Sequence, residues 1–150
     1  MGTETMTAKI RLMNQKLRFS AAAPEKPEII TDYIPPYGDD EGYYPLEVFL
    51  ISFGTCAGGT ILTMLRKFGR TIASFEINMR GESRNEHPKS FSVIHMEILV
   101  VSPDATEDDV QKAIGLSEEK LCPVWAMVRG NVVVKPTFRL NGQWPQIGEL

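Results

Sequence analysis

Between Glu47 and Arg66 no residue is charged, and across Pro45 to Gly69, PLEVFLISFGTCAGGTILTMLRKFG, apolar residues fall on every side of a helical wheel. A surface helix keeps a polar face, so this pattern predicts a helix enclosed by protein around which the rest must be arranged. Pro45 suits a first helical turn and Gly69 a stop. Cys56 lies inside the stretch, and Ser52, Gly59, Thr60 and Thr63 share its face, with Phe53 at the edge. Small side chains there let a second element approach the thiol. Gly54 and Gly58 each give up about 1 kcal/mol of helix propensity relative to alanine; close packing, or access for a substrate, is the compensation to expect. Two other readings stay open from these residues. A membrane span needs roughly 20 apolar residues, and this one is short and interrupted by Ser, Thr and Gly. A free cysteine can also be an inert, buried small hydrophobe.

The sequence has 150 residues, the size of one domain, and residues 1–150 are read as one, with 1–6 and 141–150 as peripheral tails. Net charge is −3 and the basic residues are scattered, without the Lys/Arg stripe that a phosphate backbone requires; nucleic acid is excluded as a partner. The N-terminal MGTETMTAKIRLM lacks the basic-then-apolar order of a signal peptide, which points to the cytosol and to cysteines reduced at rest. Two cysteines and two histidines fall short of a structural zinc site with four such ligands, and neither histidine belongs to a paired metal motif.

Ala8 to Met13, Lys16 to Ala22 and Pro27 to Ile34 read as a β-meander, punctuated by Asn14-Gln15 and the Pro24–Pro27 segment. A loop rich in Pro, Gly and acid follows, up to Pro45. After the central helix, Ile72 to Glu82 alternates, with Ala73, Phe75, Ile77 and Met79 on one face to pack on that helix. Phe91 to Val101 repeats the pattern. Thr106 and Asp109 resemble a capping box opening a helix whose inner stripe is Val110, Ala113, Ile114, Ser117 and Leu121. Pro123 starts a short helix to Val128 with Cys122 at its cap position, Gly130 ends it, and Asn131 to Leu140 is a last strand near an edge because of Pro136.

Free N–H groups and the helix dipole at a helix start stabilise a thiolate, so Cys122 is expected to ionise below the ordinary value of about 8.5. It lies 66 residues after Cys56, and spacing alone does not say that the two touch. A structural disulfide closing that loop would contribute about 4 kcal/mol. A cytosolic protein with an adequate core gains little from one, so a redox pair is the better reading.

PLEVFLISFGTCAGGTILTML and AIGLSEEKLCPVWAM resemble the two signature helices of the OsmC/Ohr family, the osmotically inducible and organic hydroperoxide resistance proteins. The resemblance extends through LRFSAAAPEKPEIITDY, the Gly-Asp-Asp-Glu-Gly loop and SFEINMRGE, and is strongest to the YhfA-like branch. It implies an α+β fold, with antiparallel sheets wrapped around central helices in an intertwined homodimer and each active site at the subunit interface. Cys56 matches the peroxidatic cysteine and Cys122 the resolving one. Attack on an organic hydroperoxide would give a Cys56 sulfenic acid that condenses with Cys122, and an external dithiol would reduce the disulfide, with no metal or bound cofactor and no membrane. Arg18, in KLRFS, is the match to the family's thiolate-holding arginine and Glu47 to its glutamate.

Glu47 precedes Cys56 by one residue fewer than is usual in the hydroperoxidases. Nine residues at about 100° each put it opposite Cys56 on a continuous helix, so it serves either the partner subunit's site or its own fold. Trp125 stands where smaller residues are common, which would narrow the pocket or favour flat, apolar substrates. The leading expectation is a thiol-dependent peroxidase. The alternatives are a non-peroxidatic protein binding a small apolar or electrophilic ligand at the dimer interface, and a structural dimer with inert thiols.

Overall fold

The uncharged stretch forms one unbroken helix, α1, Pro45–Lys67, with Glu47 in its first turn and Arg66 and Lys67 in its last, each at the end that the helix dipole favours. Gly69 then adopts φ +82°, the left-handed conformation that ends a helix at little cost only for glycine, and Arg70 N–H returns to Leu65 C=O at 3.1 Å. The computed structural model describes residues 4–142. Residues 1–3 and 143–150, which include parts of both expected tails, lie outside the described residues. The polypeptide divides after Phe49 into two compact units.

In the first unit β1 (Lys9–Leu12), β2 (Phe19–Ala22) and β3 (Ile29–Thr31) form an antiparallel sheet in that order, the expected meander with shorter strands. Asp32, fully buried, accepts N–H groups from Tyr33 (2.8 Å), Glu41 (3.1 Å) and Asp39 (3.3 Å), so one carboxylate ties the loop after β3 back onto itself. Ile10, Leu12, Ile29, Ile34 and Tyr37 are exposed in the single protomer.

The second unit holds the body of α1 together with β4 (Ser74–Ser83), β5 (Phe91–Val101), α2 (Glu107–Leu116), a π-helical turn (Ser117–Leu121), α3 (Pro123–Val128) and β6 (Val133–Leu140). The sheet runs β4-β5-β6, antiparallel and then parallel. A parallel neighbour needs a crossover, and the α2–α3 segment provides it. Pro136, on β6, sits on an edge strand of this sheet, where a missing N–H is tolerated. Central β5 buries Ile94, Met96, Ile98 and Val100.

Gly54 and Gly58 mark where α1 meets β4. A Cβ on Gly54 would stand 3.0 Å from Met79 Cγ, and one on Gly58 3.0 Å from Ile77 Cδ1 and 3.3 Å from Phe75 Cε1. Close packing is therefore what offsets the lost helix propensity at these two positions. The expectation that α1 is enclosed all round is corrected. Phe53, Gly54, Ala57, Gly58, Ile61 and Leu65 are buried, while Ile51, Thr55, Gly59 and Thr63 are open. By length and composition α1 would also pass as a membrane span, a test that core helices pass too; 33% of that window is buried.

Thr106 caps α2 as expected, accepting Asp109 N–H at 3.1 Å while the Asp109 carboxylate accepts Thr106 N–H at 2.9 Å. The inner stripe holds for Val110, Ala113, Ile114 and Ser117 but not for Leu121, which is 42% exposed. The π turn is the physical reason. Cys122 N–H reaches Ser117 C=O across five residues instead of four (3.0 Å), and the widened turn rotates the residues after it away from a 3.6-residue stripe.

Gly58→Leu should destabilise the protein by about 1–3 kcal/mol through overpacking against Ile77 and Phe75. Gly115→Ala, where an added Cβ has nothing within 4 Å, should stabilise it by up to about 1 kcal/mol. Urea melts of the two variants check the opposite signs.

Candidate functional site

Three local features carry Cys122 to α1. Pro123 starts α3 without needing an N–H partner, Cys122 is its N-cap with extended backbone, and the cap sulfur accepts Trp125 N–H at 3.3 Å. The indole of Trp125 is buried edge-on against Phe53 of α1, with centroids 5.6 Å apart and planes at 72°. Finally, Thr60 of α1 and Ser117 at the head of the π turn share a 2.6 Å hydroxyl–hydroxyl hydrogen bond. The result is a Cys122 Sγ to Cys56 Sγ distance of 3.3 Å, with both cysteines in the thiol form. A disulfide needs about 2.05 Å, so bond formation requires only a small closing movement.

The two thiols differ in access and in acidity. Cys56 is half-buried, whereas Cys122 is 2% exposed. Burial pushes the Cys122 thiol up to about 11; the hydrogen bond to Cys56 and the electrostatics of that neighbouring sulfur push the same way, against the N–H groups of Trp125 and Val124. The expected ionisation of Cys122 near neutrality is thereby corrected. The helix-start effect is present but smaller than the desolvation cost in this position. Cys122 keeps its proton and donates it toward Cys56.

Beside the pair, an open groove of about 480 Å³ runs along α1, lined by Thr55, Cys56, Gly59, Thr60, Thr63, Met64 and Lys67, with Leu121 beyond. A Cβ on Gly59 would meet nothing within 4 Å, so the approach to the Cys56 sulfur is open on that side. Thr55, Thr60 and Thr63 hydrogen-bond carbonyls one turn back in their own helix, which leaves the groove lining largely apolar. Trp125, expected to narrow the pocket, belongs to the core and does not line this groove. Among the described residues no group of three or more His, Cys, Asp or Glu side chains is placed to hold a metal.

Cys56, Cys122 and the groove are built by the second unit alone; Arg18 and Glu47 belong to the first. Glu47 stands in the first turn of α1. Arg18, just before β2, faces three carboxylates: Asp32 at 3.5 Å, Asp39 at 3.7 Å, and Glu41 in a short contact. Burial would raise the Asp32 carboxyl, but its three N–H donors and the Arg18 charge outweigh that and hold it below the usual carboxylate range. Thr60, expected on the Cys56 face, belongs to the site; Ser117, Lys67 and Leu121 complete it without a motif to announce them. The available signal was Ser117, a polar residue within an otherwise apolar stripe.

The model of the OsmC-like protein family matches residues 38–137. The protein belongs to the OsmC-like family. Protein YhfA of Escherichia coli is 27% identical over 101 residues, which cover 67% of this sequence and 75% of that one. A hypothetical protein of Aquifex aeolicus superposes with a TM-score of 0.81 at 26% identity, covering 96% of this protein and all of the other. An organic hydroperoxide resistance protein from Elizabethkingia anophelis superposes with a TM-score of 0.71 at 16% identity over 93% of this protein and 99% of its own length, which establishes a shared OsmC-like fold.

Burial and the raised thiol of Cys122 set an order of reactivity between the two cysteines. At pH 7.5, iodoacetamide should label Cys56 first and leave Cys122 largely unmodified, as read by peptide mass spectrometry; preferential labelling of Cys122 would contradict the assignment. Because the unfolded polypeptide loses this proton near 9.0 and the folded one near 11, stability of the reduced protein should fall as pH rises between those values. Asp32→Ala should lower the melting temperature and expose the segment between Tyr33 and Gly42 to limited proteolysis. The depressed Asp32 carboxyl gives the sign: its contribution holds above the ordinary 3.8 and is lost as pH falls through the lower folded value.

Proposed function

We propose that the protein is a thiol-dependent peroxidase that reduces organic hydroperoxides. The observation that carries this reading is the 3.3 Å approach of an accessible and a buried thiol beside an open, largely apolar groove. The Cys56 thiolate attacks the distal peroxide oxygen; the O–O bond breaks, the alkoxide leaves and takes a proton as an alcohol, and Cys56 becomes a sulfenic acid. The Cys122 sulfur then attacks the Cys56 sulfur, expelling the sulfenic oxygen as water and forming the disulfide. An external dithiol returns both cysteines to thiols by exchange and leaves as its own disulfide. A reducing cytosol with such a donor suits the cycle. Organic hydroperoxide resistance is what the names of several structural relatives describe, including the Elizabethkingia anophelis protein and OhrB of Bacillus subtilis.

The working unit in this proposal is a homodimer. Its support is the open face of α1 at Ile51, Thr55, Gly59 and Thr63, and the exposed apolar residues of the first unit's sheet, which a single protomer leaves in water. In the scheme that the family resemblance implies, Arg18 and Glu47 act from the first unit of one or the other protomer. A second reading draws on the engagement of Arg18 with Asp32, Asp39 and Glu41, since an arginine neutralised by three carboxylates is not free to hold a thiolate. On that reading the groove binds a small apolar or electrophilic ligand without peroxide chemistry.

Reduced protein mixed with cumene hydroperoxide separates the two. The peroxidase loses both thiols per protomer, accumulates a trappable sulfenic acid in Cys122→Ser, and forms none in Cys56→Ser. Thiols that persist unchanged in the wild type rule out the peroxidase and leave the ligand-binding and inert-thiol readings.

A further inference from the structure

We infer that Thr60 and Ser117 form a positioning clamp that holds Cys122 against Cys56 and thereby sets the redox equilibrium of the pair. This rests on the proposed redox role of the two cysteines. Ser117 is fully buried and touches both sides of the site: its backbone carbonyl accepts Cys122 N–H at 3.0 Å, and its hydroxyl meets the Thr60 hydroxyl at 2.6 Å. Thr60 stands one helical turn beyond Cys56 on the same face of α1. A single buried residue thus links the backbone of one cysteine to the helix of the other.

The donor order follows from the hydrogen count. A hydroxyl has one proton to give, and Thr60 Oγ1 also lies 3.0 Å from Ala57 C=O, which can only accept. With Thr60 donating to that carbonyl and Ser117 donating to Thr60, both hydroxyl protons are used. Among the described residues the Ser117 hydroxyl then finds its acceptor on α1. The π turn adds the second half of the argument. It replaces the regular four-residue hydrogen bond by one spanning five, a rare geometry frequently found at functional sites. Here the Thr60 hydroxyl holds the turn's first residue, and the turn's last hydrogen bond delivers Cys122.

The consequence is a raised effective concentration of one thiol at the other. In exchange with glutathione disulfide, the two protein thiols give up two protons and two electrons to form the Cys56–Cys122 bond, and glutathione disulfide becomes two molecules of glutathione. Removing the clamp should leave the sulfurs present and the fold standing, but disfavour that bond.

The experiment is an anaerobic titration of the full-length protein in glutathione redox buffers, quenched in acid and read by mass spectrometry of alkylated thiols, with thermal melts as a check on folding. Thr60→Val keeps the shape and loses the hydroxyl, and it should lower the equilibrium constant for disulfide formation about fivefold, the size expected for one neutral hydrogen bond. That raises the potential of the couple by about 20 mV, at about 30 mV per tenfold. Thr60→Ser keeps the hydroxyl and should stay within about twofold of wild type, as one hydrogen bond is retained. Ser117→Ala should match Thr60→Val, and the double variant should be no worse than either single one, as residues acting through each other require. A wild-type constant in both Thr60→Val and Ser117→Ala, or equal effects of Thr60→Val and Thr60→Ser, overturns the clamp while leaving the redox pair intact. A wild-type protein that forms no disulfide at any buffer ratio overturns the redox reading itself, and the clamp with it.

Discussion

The contact of Trp125 with Phe53 is the constraint from which the site follows. A buried tryptophan removes about 150–250 Å² from water, and an edge-to-face aromatic pair adds about 0.5–1.5 kcal/mol beyond that area. Trp125 lies in the first turn of α3, three residues after Cys122, so anchoring its ring on α1 fixes where the cap of that helix must stand. Its backbone N–H then holds the cap sulfur directly. One residue supplies the packing and the hydrogen bond, and the sulfur of Cys56, one turn along α1 from Phe53, comes within reach.

The floor beneath that arrangement is the α1–β4 contact. Glycine at 54 and 58 lets the helix settle onto Met79, Ile77 and Phe75, and on the far side glycine at 59 leaves a gap over the thiol. The same residue type serves two opposite ends, close approach on one face and vacancy on the other. The helix is thereby divided lengthwise into a buried half, which belongs to the fold, and an open half, which carries the Cys56 groove and, in the proposed homodimer, the contact between protomers.

Much of this was legible in the sequence because it depends on short-range rules. Uncharged helix, alternating strands, capping box, Pro123 start and edge position of Pro136 each rest on residues a few places apart. Leu121 was misjudged because a 3.6-residue stripe assumes regular hydrogen bonding, and nothing in SEEKL announces a π turn. The acidity of Cys122 was misjudged for a different reason. A helix start is visible in sequence, but the burial that opposes it depends on residues 66 positions away. Arg18 shows the same limit, since its carboxylate partners lie at positions 32, 39 and 41 and only folding selects them from nineteen acids. The parallel pairing of β6 with β5 was likewise invisible, because strand direction follows from the crossover and not from the strand. The OsmC-like family model matches from residue 38, so the opening meander stands outside it, and its strand order was read from the turn residues between its strands.

The buried indole beside the cysteine pair has an optical consequence. Disulfides quench tryptophan emission by accepting an electron from the excited ring, and Trp125 shares a helical turn with Cys122. The protein holds an intrinsic fluorophore at the place where its sulfur chemistry would occur, so a change in oxidation state can be followed in real time without an attached dye.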